Sequence, residues 1–264
     1  MLTLDKALQS AGLFSFQEQQ VPNSYYCELK DIADAFEKLL DVEYIYTLKS
    51  KSSENGTKEL HIRFLREHLY HLSGLQHFED VVKLKLIREH KRSSKDFFYD
   101  LKLGYLTTAD IKKSKSYTID KQKRLYYLLQ LEKLLDTNKK IYDFDGIIHG
   151  KDHDFKSKIK ATYLLKNVEN ITDNVFIFLD KGILDAVYST VSIISPGDDY
   201  SRGQHEECML IKKKFLKKNT TETLFIHPSY FRKHLELAES EQDYINKTPE
   251  LRAILDSIKN DKKE

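Results

Sequence analysis

Four β-rich runs in the C-terminal half of this 264-residue chain constrain its fold more than any other feature. β-branched and aromatic residues, which favour strands, dominate each run. The runs are residues 159–165, 175–179, 186–194 and 208–215. Turn-forming residues separate them, among them Pro196-Gly197. Short consecutive strands joined by close turns predict an antiparallel meander, and residues 224–226 are expected to add a short fifth strand.

The N-terminal half predicts helices and one β-hairpin. Apolar residues at helical spacing predict a helix over residues 25–40 and a mostly helical segment over 78–136, with one long helix at about 120–135. Asn55-Gly56 lies between two β-rich runs, which is a hairpin signal. The predicted fold class is therefore α+β, with N-terminal helices and a β-hairpin, then a four-stranded antiparallel meander sheet, and C-terminal helices.

Composition narrows the class of protein. Hydrophobic residues make up 40% of the chain, enough to build a core, while acids and bases nearly cancel to a formal net charge of +2. Any nucleic-acid site must therefore come from local clusters of charge. The two cysteines, Cys27 and Cys208, exclude a disulfide framework and suit a reducing compartment. With no secretory signal and no run of ~20 apolar residues, we expect a cytoplasmic protein with no membrane contact.

Two histidines, His68 and His71, occupy one short apolar segment directly after the second hairpin strand. Gly74 follows them and can close a helical turn. Because histidine exchanges protons near neutral pH, the segment is a candidate catalytic cluster. The alternative is an amphipathic turn whose leucines face the core and whose histidines are solvated.

Two further clusters have competing interpretations. Lys212-Lys213-Lys214 could form a ridge that follows a phosphate backbone, or a solvated strand edge that discourages aggregation. Residues 149–154 contain histidines and aspartates at close spacing and are the best candidate cluster of metal ligands, but their surroundings favour a polar linker. The chain has no glycine-rich phosphate or dinucleotide loop. We expect no metal and no cofactor.

Three motifs resemble, in order and approximate spacing, the phage-type barnase–EndoU–colicin–RelE-like nucleases, fourth subfamily. They are His-Leu-x-Gly-Leu at 71–75, Lys-Ala-x-Tyr-Leu at 160–164, and Tyr-x-x-Gly-Gln at 200–204 followed by Leu-Ile-Lys-Lys at 210–213. The resemblance covers roughly residues 40–217. It implies a metal-independent ribonuclease-like fold, with helices packed on a four-stranded antiparallel sheet, and a toxin or phage-conflict role.

The resemblance also implies roles for individual residues. RNA supplies its own nucleophile, the 2′-hydroxyl, so the protein must transfer protons and stabilise charge on the phosphoryl group. His71 would be the acid or base, with Lys160 stabilising charge and with Tyr200 and Gln204 holding the phosphate or a base edge. The remaining predicted residues would bind substrate, and they are His68, Arg202, Lys212 and Lys213.

The sequence therefore predicts a metal-independent endoribonuclease that binds RNA, with an antitoxin or phage protein as a possible partner. A catalytically silent RNA- or protein-binding module of the same fold is the alternative. Arg-x4-His spacing, at Arg63 to His68 and Arg66 to His71, also resembles the helical HEPN ribonucleases, but the strand-rich half argues against an all-helical domain. The predicted parts are a helical extension (1–40), a nuclease-like domain (41–220) and a helical cap (221–264).

Overall fold

The computed structural model describes residues 25–49, 57–149, 154–168, 174–182, 187–195, 199–227 and 230. The predicted Asn55-Gly56 turn, most of the C-terminal cap and residues 1–24 of the N-terminal extension lie outside these residues. The first described element is helix α1 (Leu29–Leu39). Its apolar residues recur at helical spacing and form one buried face, namely Leu29, Ile32, Ala33, Phe36 and Leu39. The predicted helix in this region is confirmed.

The predicted hairpin is confirmed in its two strands, β1 (Val42–Lys49) and β2 (Thr57–Arg63), which pair antiparallel. Alternate residues of a strand point to opposite faces of the sheet. Tyr44 and Ile62 are opposite each other and both are fully buried in the main core. Their neighbours along each strand must therefore point to the other face.

A helical segment follows β2, and the prediction of a mostly helical stretch is confirmed. Its elements are α2 (His68–Ser73), a 3₁₀ turn (Leu75–His77), α3 (Val82–Arg88), α4 (Ser94–Lys102), α5 (Thr108–Lys112), α6 (Ile119–Leu129) and α7 (Leu131–Asp136). The single helix expected at about 120–135 is interrupted at Gln130, whose φ and ψ are −92° and 7°. Both α6 and α7 bury leucines in the core.

Nine strands form one mixed sheet, and the remaining two form a small separate hairpin. The further strands are β3 (Ile141–Asp143), β4 (Ile147–His149), β5 (Asp154–Lys156), β6 (Tyr163–Val168), β7 (Asn174–Lys181), β8 (Val187–Ile194), β9 (His205–Glu206), β10 (Met209–Phe215) and β11 (Thr220–Ile226). The order in the large sheet is β11-β10-β1-β2-β8-β7-β6-β3-β9, and β4 pairs with β5. Among the described strands, only β2 and β8 pair in parallel, over His61–Val187 and Ile62–Tyr188.

The α+β class is confirmed, but the four-stranded antiparallel meander is wrong. The first three predicted strands do pair in chain order, as β6, β7 and β8. The fourth, β10, crosses to the far side of the hairpin and pairs with β1. The hairpin thus lies between β8 and β10, where its apolar face packs into the same core as the helices. No local sequence pattern indicates pairing between strands so far apart in the chain.

The sheet has two faces with different partners. One face packs against the helices in the main core and is here called the helical face; Leu165 and Ile177 belong to it. Residues adjacent to these in sequence, Leu164 and Phe178, belong to a smaller cluster on the opposite face, here called the second face. Catalytic groups on β1 and β2 must therefore be assigned to one face or the other before they can be grouped.

Candidate active site

Three ionisable side chains meet on the second face of the β1–β2 hairpin. Glu43 Oε1 accepts a hydrogen bond from Arg63 Nε at 2.7 Å and lies 3.2 Å from His61 Nδ1. Only 4% of the Glu43 side chain is exposed, against 28% for His61 and 51% for Arg63. A buried carboxylate therefore holds an imidazole and a guanidinium that both reach solvent.

The hairpin register brings these groups together. Glu43 is directly opposite Arg63, and Ile45 is directly opposite His61. Positions 43, 61 and 63 alternate with core residues such as Leu60 and Ile62, so they share the second face. Cross-strand neighbours on one face have Cβ atoms about 4.5–5.5 Å apart, close enough for the observed hydrogen bonds.

Opposing effects set the pKa of Glu43. Burial disfavours the charged form of Glu43, but the hydrogen bond and charge of Arg63, together with those of His61, outweigh burial. The pKa of Glu43 is therefore lowered, and the group is a carboxylate at neutral pH. The same hydrogen bond raises the pKa of Arg63. The pair is fixed as an anion and a cation.

His61 lies between two carboxylates. While Nδ1 is near Glu43, Nε2 lies 3.4 Å from the carboxylate of Glu59, which is 56% exposed. Nε2 is thus on the solvent side of the ring, and Glu43 fixes the ring from the buried side. An imidazole oriented by a buried carboxylate in this way is suited to proton transfer.

Lysines from β10 complete the polar surface. Lys214 is directly opposite Glu43, and Lys212 is directly opposite Ile45. Both therefore point to the second face, on the side of β1 opposite to Arg63 and His61. Cationic groups around an acid–base pair suit a substrate that carries a phosphate.

Lys213, which the sequence analysis assigned to substrate binding, points to the helical face and is buried. Its Nζ donates to Glu132 Oε1 and to both carboxylate oxygens of Asp136, each at 2.9 Å. Burial disfavours the charged ammonium, but the Asp136 and Glu132 carboxylates outweigh burial and raise the pKa of Lys213. This lysine joins the sheet to α7, and its ammonium does not face the cluster around Glu43.

The predicted histidines lie on α2, which ends at Gly74 with φ +70°, as expected for a glycine that closes a helix. His71 is exposed. His68 is half-buried, and its Nδ1 accepts a hydrogen bond from the Leu65 N–H at 3.3 Å. Burial lowers the pKa of His68. The leucines of this helix enter the core, so the segment combines both of the interpretations that its sequence allowed.

Two other predicted catalytic residues hold the loop before β9. The Tyr200 ring packs 5.6 Å and 5.7 Å from the rings of Phe176 and Phe178, measured between centroids, on the second face of the sheet. Gln204 Oε1 accepts from the Asp145 N–H at 2.8 Å, and its Nε2 donates to the Asp145 carbonyl at 2.9 Å. Tyr200 thus fastens the loop to the sheet, and Gln204 fastens it to the connection between β3 and β4.

The remaining predicted residues are exposed. Lys160 precedes β6, which begins at Tyr163, so the predicted strand is shorter than expected and Lys160 is not part of it. Arg202 lies in the loop with Tyr200. The helix that carries His71 contacts the helical face, whereas Tyr200 packs on the second face. The structure therefore does not group His71 with Tyr200, and their catalytic roles stay a prediction.

A comparison with protein-family models decides the family. The model described as phage-Barnase-EndoU-ColicinE5/D-RelE like nuclease4 matches residues 28–256. The chain belongs to this nuclease family. Searches of curated proteins and of solved structures returned no match. The family resemblance seen in the sequence is confirmed, and the match extends it at both ends, while the predicted domain boundaries stay a prediction.

This nuclease carries an acid–base cluster that sequence reasoning did not select. Its signal in the sequence is the alternation Glu59-x-His61-x-Arg63 on a strand whose intervening residues are apolar. Such alternation places three polar groups on one face. Glu43 could be joined to them only once the register was known.

The described residues of the nuclease contain neither a cluster of metal-binding side chains nor a helix that could span a membrane. Among them, no three or more His, Cys, Asp or Glu side chains are grouped so that they could hold a metal ion. The linker between His149 and Asp154 lies outside the described residues, so that candidate is not assessed. In the same part of the chain, the helices are too short or too polar for any of them to cross a membrane.

Proposed function

We propose that this nuclease is a metal-independent endoribonuclease that cleaves RNA by attack of the 2′-hydroxyl on the adjacent phosphate. The observation that carries the proposal is the ionised, buried Glu43 bonded to His61 and Arg63 on a face that both partners expose to solvent. General acid–base catalysis and charge stabilisation are the two contributions that such a reaction needs.

Each group has a distinct role in this mechanism. Glu59, the exposed carboxylate, accepts the proton of the 2′-hydroxyl as its oxygen bonds to phosphorus. In its protonated form, His61 gives its Nε2 proton to the 5′-oxygen as the P–O5′ bond breaks, which leaves a 2′,3′-cyclic phosphate. Glu43 is a positioning residue, because its hydrogen bond holds the imidazole ring with Nε2 toward the substrate.

Cationic side chains supply the second contribution, which is stabilisation of charge on the phosphoryl group. Arg63 uses Nε to bond Glu43, and its half-exposed guanidinium can still donate to a phosphate oxygen. Lys214 and Lys212 flank the cluster from β10. Donors aimed at developing phosphoryl charge typically contribute about 10²–10³-fold each to the rate.

The test is cleavage of mixed RNAs by purified protein in excess chelator, comparing wild type with His61→Gln and His71→Gln. We expect wild type and His71→Gln to release 2′,3′-cyclic phosphate ends, and His61→Gln to lose about 10²–10⁴-fold in rate. DNA of the same sequence should remain intact, because it lacks the nucleophile.

Several results would contradict the proposal. Loss of cleavage in His71→Gln with full activity in His61→Gln would move the chemistry to α2. Cleavage of DNA at the rate of RNA would exclude 2′-hydroxyl attack, and cleavage that needs an added metal would exclude the metal-independent mechanism. Chelator-treated protein that binds RNA without cutting it would favour the silent binding module.

The biological setting is also part of the proposal. The family description refers to phage, which supports a toxin or antiphage role with an antitoxin or phage protein as partner. Induced expression in a bacterial host should then arrest growth, and His61→Gln should relieve the arrest at equal protein level. Equal toxicity of the two forms would contradict this setting.

A further inference from the structure

A second basic site lies in the helical segment, away from Glu43 and His61. It is a cleft of about 770 Å³ between α2, the 3₁₀ turn, and the connection from α3 to α4. Six basic side chains line it, namely His71, His77, Arg88, His90, Lys91 and Arg92. Of the described residues that line the cleft, none is acidic. We refer to it as the basic cleft.

Acidic partners outside the lining hold three of these cations in place. Arg88 donates to Glu79 at 2.5 Å. Arg92 donates to both carboxylate oxygens of Asp100, at 2.7 Å and 3.1 Å, and Lys91 donates to Glu89 at 2.7 Å. The fork of Arg92 is therefore oriented before any ligand arrives, which lowers the entropy lost on binding an anion. The N-terminal end of α4, at Ser94, also lines the cleft and adds the positive end of a helix dipole.

A buried hydrogen-bond acceptor in the same cleft indicates a ligand that carries a hydrogen-bond donor as well as a negative charge. Gln76 lines the cleft, and no donor in the described part of the chain reaches its buried Oε1 atom. An unsatisfied buried acceptor lowers the stability of the fold, so a ligand that donates a hydrogen bond to it would be favoured. The neighbouring His71 ring packs 5.4 Å from Tyr70, edge to face, and offers a surface on which a base could stack.

We propose that the basic cleft binds one nucleotide unit of an RNA strand, with the phosphate on its cations and a ribose or base N–H or O–H on Gln76 Oε1. The proposal rests on the proposed function only in taking RNA as the substrate. A polyanion without such donors would satisfy the cations and leave Gln76 unpaired.

The position of the cleft suits a strand that also reaches the reactive groups. Arg63 ends β2, and His71 follows eight residues later on α2. Eight residues span at most about 29 Å even when fully extended. Because the helix that carries His71 contacts the helical face and the acid–base cluster lies on the second face, a strand that occupies both sites must pass from one side of the sheet to the other.

The first test measures binding of a labelled single-stranded 2′-O-methyl RNA, which cannot be cleaved because its nucleophile is blocked. Lys91→Gln should raise Kd. It should also lower the slope of log Kd against log salt by about 0.7–1, the value for one lost phosphate contact on a single strand. Lys85→Gln is the matched control, because Lys85 also contacts Glu89, at 3.7 Å, but does not line the cleft. It should leave Kd and slope unchanged.

The second test addresses the acceptor. Gln76→Met removes the unsatisfied oxygen and keeps the side-chain volume, so the protein should unfold at the same or a higher temperature. Binding of unmodified RNA, measured in the His61→Gln background, should nevertheless weaken several-fold. Unchanged RNA binding by Gln76→Met would show that the RNA does not bond to Gln76 Oε1.

The remaining outcomes separate this proposal from the proposed function. Cleft variants should cleave a dinucleotide at the wild-type rate but long RNA more slowly. Binding that depends on Lys91 in a protein that cleaves nothing would support the cleft and overturn only the endoribonuclease. Equal effects of Lys91→Gln and Lys85→Gln, or equal competition by an acidic peptide, would overturn the cleft as an RNA site.

Discussion

At the scale of single residues, Glu43 decides how the candidate site works. Its carboxylate is charged, buried and shared between Arg63 and His61, so it acts through its partners. Its face could be anticipated from strand alternation, since it lies between the core residues Val42 and Tyr44. Its partners could not, because a shift of one residue in register would place other side chains beside it.

Replacing Glu43 by Gln should lower kcat by about 10–100-fold with little change in KM, a typical effect of losing a group that orients another. The pH profile is the decisive measurement, because loss of the carboxylate removes the charge that faces His61, the proposed general acid, and should shift the alkaline limb. The matched control is Glu222→Gln, which changes an exposed glutamate of β11. An unchanged pH profile in Glu43→Gln would contradict the positioning role.

Gly74 gives a second prediction at this scale. Gly74 has a φ of +70° and Gly104 a φ of +73°, which an L-residue adopts only with strain. An alanine at either position should therefore cost about 1–2 kcal/mol of unfolding free energy. At Gly74 the new Cβ would also lie 3.1 Å from the Arg124 guanidinium, whose Nε is fixed by a 2.7 Å bond to the Leu72 carbonyl. At Gly104 nothing lies within 4 Å.

Urea denaturation should therefore rank Gly74→Ala as less stable than Gly104→Ala. The difference between the two variants isolates the contact with Arg124 from the backbone term they share. Equal losses of stability would mean that Arg124 moves aside at no cost.

At the scale of elements, β10 shows how one strand serves two purposes. Lys212 and Lys214 point to the second face beside the reactive groups, while Lys213 bonds Glu132 and Asp136 on the helical face. The run of three lysines predicted side chains on both faces of a strand. It could not indicate which lysine meets carboxylates, because those carboxylates come from helix α7.

Substitutions on β10 should separate stability from activity. Lys213→Met leaves the two carboxylates without their cation. Because these carboxylates are about one-third exposed, we expect a loss of about 1–3 kcal/mol, below the full cost of a broken buried pair. Lys214→Met should keep stability and lower the rate of RNA cleavage. Denaturation and cleavage assays on both variants test this, and the reverse pattern would contradict it.

Local patterns predicted most individual elements but not their assembly. The hairpin was predictable because each strand alternates and a turn signal separates them. The position of β10 was not, because β1 and β10 are joined by pairing across more than 160 residues, between Val42 and Phe215. The break at Gln130 was also missed, since leucines on both sides continue one apolar pattern.

At the scale of the whole molecule, histidines that are partly desolvated by folding link stability to pH. Burial is the main cause of the lowered pKa of His68 and of His227. At His77 burial acts first, and the positive charges of Lys121, Arg124 and Arg88 add to it. In each case the unfolded chain binds protons more readily than the folded chain, so acid favours unfolding.

The free energy of unfolding should consequently be constant above about pH 7 and fall as pH drops below the ordinary histidine pKa of 6.5. Chemical denaturation across this range measures the effect. His68→Gln should flatten the curve, because the His68 imidazole is half-buried in the folded protein. A stability that rises on acidification would contradict the assignment.

The hairpin origin of the candidate site has a consequence for the order in which a newly made chain becomes active. Glu43 lies only 18 residues before His61 and 20 before Arg63, so the acid–base cluster can close early, while the rest of the chain is still being made. Lys212 and Lys214 are translated about 150 residues later and must then pair with β1. A cell that makes this nuclease would therefore hold an unfinished enzyme until β10 and its lysines have been translated.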